Sequence, residues 1–153
     1  MRLLTRPDIA FIITRRKPID RYISSLKARA LGKWRFADTT NVEVRGDVRQ
    51  FLDEWNRFAR WYASCREVIE SAGRPQTDLS YAGDISQPNE VLRHSLREKL
   101  QEIGVDPGNF TAPIDRPLER QDRASLYEEK MANWPQFLAE LRKHPQYFAA
   151  FVE

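Results

Sequence analysis

A predominantly helical α/β fold is predicted by three features of the sequence. A five-residue run, Ile9-Ala10-Phe11-Ile12-Ile13, is rich in β-branched and aromatic residues and is bounded by Pro7-Asp8 and a basic cluster, so it reads as a buried strand. Apolar residues then recur at helical spacing through several long segments. A second short strand is offered by Asp78-Leu79-Ser80-Tyr81. Two strands alone make a poor sheet, and an α/β core holding only two of its strands would look like this.

The elements follow in order. Pro18 suits a first helical turn, and Ile19, Tyr22, Ile23, Leu26 and Ala30 carry a helix from about Ile19 to Leu31, with Gly32 as its stop. The opening is therefore strand, basic turn and helix. It sets a positive helix end beside Arg15, Arg16 and Lys17, a ready place for a phosphate. Residues 34–46 read as irregular. Asp47 then caps a long helix whose stripe runs Val48, Phe51, Leu52, Trp55, Phe58, Ala59, Tyr62, Cys65, Ile69 and Ala72, ending at Gly73. That aromatic stripe reads as core, and Cys65 on it as a buried, inert thiol. The expected strand at 78–81 is followed by a helix opened by Pro88. Val91, Leu92, Leu96, Leu100 and Ile103 are expected to face inward there, His94 to face solvent, and Gly104 to end it.

Residues 105–124 show no periodicity and three prolines, the mark of a functional loop or of a missing partner. Ser125 and Glu128 have capping-box spacing for a helix to about Asn133. Pro135 restarts another helix, and Leu138, Leu141, Tyr147, Phe148 and Phe151 supply apolar faces to the end. The length of 153 residues fits a single domain over 1–153.

Composition narrows the function classes. Hydrophobic residues at 41% and charged residues at 31% exclude wholesale disorder. The longest apolar run is far short of a membrane span, and Thr14 with the Arg15-Arg16-Lys17 cluster cuts it off as a secretory signal. The lone Cys65 fits a reducing compartment, so a cytoplasmic location is expected. Two distant His and one Cys predict no metal. The net charge of +3 hides an asymmetry. Residues 1–35 hold ten Lys/Arg against Asp8 and Asp20, a net of +8, and residues 36–153 hold 15 basic against 20 acidic groups, a net of −5. The basic end suits a polyanion. Aromatics for base stacking are sparse there, so nucleic acid is not the expected partner.

The stretch from Phe11 to Leu26, with Arg16-Lys17-Pro18 and Ser24 six residues after the proline, resembles the sulfotransferases that use 3′-phosphoadenosine 5′-phosphosulfate. That family has a strand ending in Arg-x-Pro and then a helix carrying a Ser at this spacing. Gly32-Lys33-Trp34 is similar to the Gly-x-Trp of its bacterial, carbohydrate-directed branch. Leu79-Ser80-Tyr81-Ala82-Gly83-Asp84-Ile85 resembles the family's Tyr-Glu-Asp-Leu segment, with Ala82-Gly83 in place of the Glu and one residue added. Ile103-Gly104-Val105 resembles the helix end that follows that segment. Glu119-Arg120-Gln121-Asp122 and Lys130-Met131-Ala132-Asn133-Trp134 resemble a basic-Gln loop and an Asn-Trp helix. The landmarks fall in order over residues 9–141.

The resemblance implies a partial three-layer, P-loop-like sulfotransferase fold. It implies that Arg16 and Ser24 hold the 3′-phosphate, that Tyr81 meets the adenine edge, and that Arg120 is a second phosphate group. A guanidinium fork and a helix hydroxyl are chemically suited to phosphate oxygens. Without the family, Arg16-x-Pro18 is a turn opening an amphipathic helix, Tyr81 is a strand-end core residue, and Arg120 is solvated. One departure is large. The Gly/Ser/Thr-rich loop that cradles the 5′-phosphosulfate has no counterpart, since the six glycines are scattered at 32, 46, 73, 83, 104 and 108. The chain thus looks like the C-terminal half to two-thirds of a sulfotransferase domain, with no residue assignable as catalytic base. The expected function is the 3′-phosphate half of the nucleotide site, inactive alone, in a family that sulfates hydroxyl acceptors, carbohydrates in this branch. The alternative is a non-catalytic helical interaction or dimerisation module. Homodimerisation is expected on either reading, because missing strands leave sheet edges and helix faces uncovered, among them Trp55, Trp61 and Tyr62.

Overall fold

The computed structural model describes residues 6, 8–34, 37–108 and 124–153. The expected class holds: the chain is mostly helical, with two parallel strands. Its elements are β1 (Phe11–Arg15), α1 (Pro18–Leu31), α2 (Val48–Ser71), β2 (Gln76–Ser80), a π-helical turn (Tyr81–Ile85), α3 (Asn89–Glu102), α4 (Tyr127–Lys130), α5 (Trp134–Leu141) and a closing 3-10 turn (Phe148–Phe151). Among the described residues no helix is long and apolar enough to cross a membrane.

The chain divides into two compact units. One comprises Met1–Arg15 and Ala59–Leu118, the other Arg16–Phe58 and Glu119–Glu153. Residues 48–58 of α2 belong to the second and residues 59–71 to the first.

In the first unit, β1 and β2 pair in parallel with Phe11 opposite Gln76 and Arg15 opposite Ser80. The strand lies two residues later than the apolar run suggested. The ladder starts where the Phe11 amide reaches the Pro75 carbonyl at 2.9 Å, and it lasts as long as β2 offers partners. The Tyr62 hydroxyl donates to the Thr14 carbonyl at 2.9 Å, tying α2 to β1. Asp78 accepts from Arg15 at 3.1 Å and is also paired with Arg66. Buried apolar groups here are Ile13, Ile69, Leu79 and Leu92. α3 packs on β2 and on the π turn. Val91, expected inside, is exposed. Leu92, also expected inside, is buried, and Leu96 one turn on is half-buried. His94 faces solvent as expected, 3.2 Å from Glu98.

Cys65 is half-buried rather than fully buried, and Ala59 is exposed. The stripe of α2 is continuous in sequence but is not covered along its whole length, and Trp61 is 57% exposed.

The second unit holds an aromatic core. Ile19, Tyr22 and Ile23 of α1, Val48 and Phe51 of α2, and Met131, Trp134, Phe137 and Leu141 pack in one cluster. Each such side chain contributes about 1.5–3 kcal/mol on leaving water. The rings of Tyr22, Phe51 and Phe137 form a triangle with centroids 5.4, 5.8 and 6.1 Å apart, in the range of favourable ring pairs. α1 ends at Gly32, whose φ of 63° lets its amide and that of Lys33 turn back to Arg29 and Ala28. Lys27 is buried, and its ammonium donates to the Thr39 carbonyl at 2.9 Å, anchoring the segment after α1.

The predicted capping box is shifted by one residue. Glu129, not Glu128, accepts from the amides of Ser125 and Leu126, at 3.2 and 3.3 Å, because α4 starts at Tyr127. The segment around Val44 pairs with Met131 as an isolated parallel bridge, and the Ala132 amide donates to the Val44 carbonyl at 2.9 Å.

Candidate functional site

Pro18 holds the first position of α1, and Lys17 before it is extended, with φ −48° and ψ 129°. A residue preceding proline is driven to that region, so the helix cannot begin before Pro18. Arg16 therefore sits in a two-residue turn with no helical constraint of its own. Ser24 lies six residues into α1, about 9 Å further along the axis. Both side chains are half-buried.

Asp20 lies between them. It is in the first turn of α1, and Ser24 follows it by one turn on the same helical face. Asp20 hydrogen-bonds the Tyr127 phenol, and the positive charge of Arg16 acts on the same phenol. Burial, with Asp20 as a second cause, pushes the Tyr127 hydroxyl well above the ordinary tyrosine range, while Arg16 pulls it the other way. Lys130 is buried and stands 5.3 Å from the centre of the Tyr127 ring. The group is thus two cations and one carboxylate around a phenol, all in the second unit.

The neighbouring residues separate into different tasks. Ser25, adjacent to Ser24, accepts from Arg29 at 2.8 Å, and Arg29 also reaches Glu54 at 2.6 Å. Gln50 donates to the same Glu54 oxygen at 3.2 Å. Ser25 is therefore committed to the link between α1 and α2. The Arg21 guanidinium stacks on Phe58 with its carbon 3.8 Å from the ring centre.

No family model, no curated protein and no solved structure matches the chain.

Tyr81 belongs to the first unit, half-buried, and opens the π-helical turn. Around it Ser80 accepts from the Gly83 amide at 2.8 Å, and the Ser80 amide donates to Asp84 at 2.7 Å. The other Asp84 oxygen is bound by Ser95 of α3. Arg120 lies outside the described residues. The structure so places Arg16 and Ser24 in one unit and Tyr81 in the other. Among the described residues no group of three or more His, Cys, Asp or Glu gathers as a metal site requires.

Sequence reasoning missed Tyr127 and the role of Asp20 and Lys130. Asp20 is visible in the sequence as an acid in a first helical turn. Tyr127 is 107 positions away from it, and nothing local in either segment signals their contact.

Proposed function

We propose that this chain carries the 3′-phosphate half of a binding site for 3′-phosphoadenosine 5′-phosphosulfate, on a partial sulfotransferase-type fold. The observation that carries the reading is the placement of Arg16, Pro18 and Ser24. Arg16 stands in the turn after a strand, Pro18 opens the helix, and Ser24 lies on that helix with Ser25 engaged elsewhere. The donor types suit a phosphate: a guanidinium fork from Arg16 and a hydroxyl from Ser24. Asp20 is held by Tyr127, so its charge is partly met by a donor.

The π turn supports the same reading. The segment Tyr81-Ala82-Gly83-Asp84-Ile85 carries one residue more than the family's motif. The turn is wide by one residue too, with the Ser86 amide donating to the Tyr81 carbonyl at 2.8 Å.

The bound nucleotide would bring the sulfuryl group to a hydroxyl acceptor, a carbohydrate in the branch this chain resembles. This chain's own residues would hold the 3′-phosphate and orient the nucleotide. With no residue assigned as base, the chain alone binds without turnover.

Calorimetric titration tests the reading. Adenosine 3′,5′-bisphosphate is expected to bind more tightly than adenosine 5′-monophosphate, which lacks the group that Arg16 and Ser24 hold. Arg16→Ala is expected to lose on the order of 1.5–3 kcal/mol of binding, and Arg16→Lys part of that, because lysine keeps charge but not the fork. Ser24→Ala loses about 0.5–1.5 kcal/mol. Both side chains are half-buried, so a thermal melt of each variant accompanies the titration. Equal affinity for the two nucleotides in the unaltered protein overturns the proposal without recourse to any variant.

A further inference from the structure

An acid stands between the two groups of the candidate phosphate site. Asp20 lies in the first turn of α1, with Arg16 four residues before it and Ser24 four residues after it. Residues four apart on a helix lie one above the other, about 5–6 Å between their Cβ atoms. An anion held by the Ser24 hydroxyl is therefore within reach of the Asp20 carboxylate. Arg16, Asp20 and Ser24 are all half-buried and belong to the second unit. A carboxylate in that place repels a fully ionised anion. It attracts one only if the anion brings a proton to share.

The charges around Asp20 have tasks of their own. The Arg21 guanidinium lies on the Phe58 ring. Buried Lys130 faces the Tyr127 ring at 5.3 Å. Glu129 accepts from the amides of Ser125 and Leu126, and Glu128 is exposed. Lys17, just before Pro18, adds a half-buried cation at the start of the helix. The Tyr127 phenol is hydrogen-bonded to Asp20. An ionised carboxylate has about four acceptor sites and no proton to give, so the phenol leaves room on Asp20 for a second donor.

We propose that Asp20 makes this anion site select an oxyanion that still carries a proton, phosphate or a phosphate ester, over fully ionised sulfate. The inference rests on the reading of Arg16 and Ser24 as the groups that hold a phosphate, and it adds the discrimination to that reading. The protonated phosphate oxygen donates to Asp20 while the other oxygens accept from Arg16 and Ser24. Sulfate near neutral pH has no proton, so it sets lone pairs against the carboxylate, and specificity comes from that repulsive contact. 3′-Phosphoadenosine 5′-phosphosulfate carries a phosphate at its 3′ end and a sulfate at the other. A site that rejects sulfate takes the nucleotide by the 3′ end, and its direction is fixed.

Titration of the protein with inorganic phosphate and with sulfate near neutral pH, followed by NMR, tests it. Phosphate is expected to bind at least about tenfold more tightly than sulfate. Monofluorophosphate keeps the shape and charge of phosphate without its proton at that pH, and is expected to behave as sulfate does. Asp20→Asn is expected to level phosphate and sulfate, because the amide both donates and accepts. A role for Asp20 confined to packing or to net charge would move both ions together, so the ratio of the two affinities is the readout. Equal binding of the two ions by the unaltered protein, no binding of either, or an unchanged ratio in Asp20→Asn overturns the proposal. Should Asp20→Asn fold poorly, monofluorophosphate decides without any variant, and its binding as tightly as phosphate overturns the proposal equally. The two readings fail separately. Adenosine 3′,5′-bisphosphate bound in preference to the 5′-monophosphate, with phosphate and sulfate level, sinks this inference alone. A phosphate preference lost in Asp20→Asn, with the two nucleotides bound equally, sinks the nucleotide reading alone.

Discussion

Asn133 holds both sides of Gly46. Its Oδ1 accepts from the Gly46 amide at 2.9 Å, and its Nδ2 donates to the Gly46 carbonyl at 2.8 Å. The side chain acts as a piece of backbone, extending the bridge between Val44 and Met131 by one more pair of hydrogen bonds. Residues 87 positions apart are thereby locked at the entrance to α2.

That lock requires glycine. A Cβ on Gly46 would meet the Met131 Cε at 2.6 Å and the Phe137 ring at 3.0 Å. Met131 is flexible, but it is fully buried and has little room to move. Gly46→Ala is expected to cost about 1–3 kcal/mol from overpacking, and Asn133→Ala a similar roughly 1–3 kcal/mol from unpaired backbone groups. Urea unfolding of both variants checks this, and a Gly46→Ala protein as stable as the original would refute the close approach.

Tyr22 ties α1 to the start of α2. Its hydroxyl accepts from the Asp47 amide at 3.0 Å and lies 3.1 Å from the Asp47 carbonyl, to which it donates. Tyr22→Phe keeps the ring in the aromatic triangle and removes these bonds together with the one its hydroxyl makes to Gln50 Oε1 at 3.3 Å. A loss of about 1–2 kcal/mol is expected in chemical denaturation, much less than the roughly 3–5 kcal/mol of Tyr22→Ala, which also leaves a cavity.

Asp84 is buried where β2 ends, and its two oxygens bind the Ser80 amide and the Ser95 hydroxyl. Asp84→Ala leaves both donors without their acceptor. A cost of about 1–3 kcal/mol is expected, felt in the first unit. Hydrogen exchange read by mass spectrometry is expected to speed up at residues 76–95 and to leave α1 unaffected.

Tyr127 predicts a loss of stability in alkali. Its folded pKa is raised, mainly by burial and next by Asp20, while an unfolded tyrosine titrates near 10. Below about pH 10 both states keep the proton and this group adds no slope. Above it the unfolded chain releases the proton and the folded one holds it, so stability falls as pH rises toward the folded pKa. Tyr22, raised by burial as the leading cause, adds to the same slope. Thermal melts between about pH 8 and 11 are expected to show a steeper decline for the original protein than for Tyr127→Phe. Parallel curves would refute it.

Local pattern and short-range sterics determined the elements. The spacing of Ile19, Tyr22 and Ile23, with Pro18 before and Gly32 after, set α1 to within a residue, because caps and helical period are properties of neighbouring residues. The same holds for the long stripe of α2 and for the parallel strand pair, legible from the β-branched and aromatic run of β1 and a short segment around Leu79, even though their ends shifted by one or two residues. The ends were not legible, since a strand stops where its partner stops offering hydrogen bonds, and the partner is 65 positions away. Tertiary structure alone decided which part of the stripe is covered, leaving Ala59 exposed and Tyr62 and Cys65 in partial contact with water. It alone brought Tyr127 and Lys130 to Asp20 and Arg16, joined Asn133 to Gly46, and left Phe148 outside while Phe137 went in. These are contacts between segments distant in the chain. They are set by which apolar faces bury each other at the lowest free energy, and no local signal in either segment encodes that.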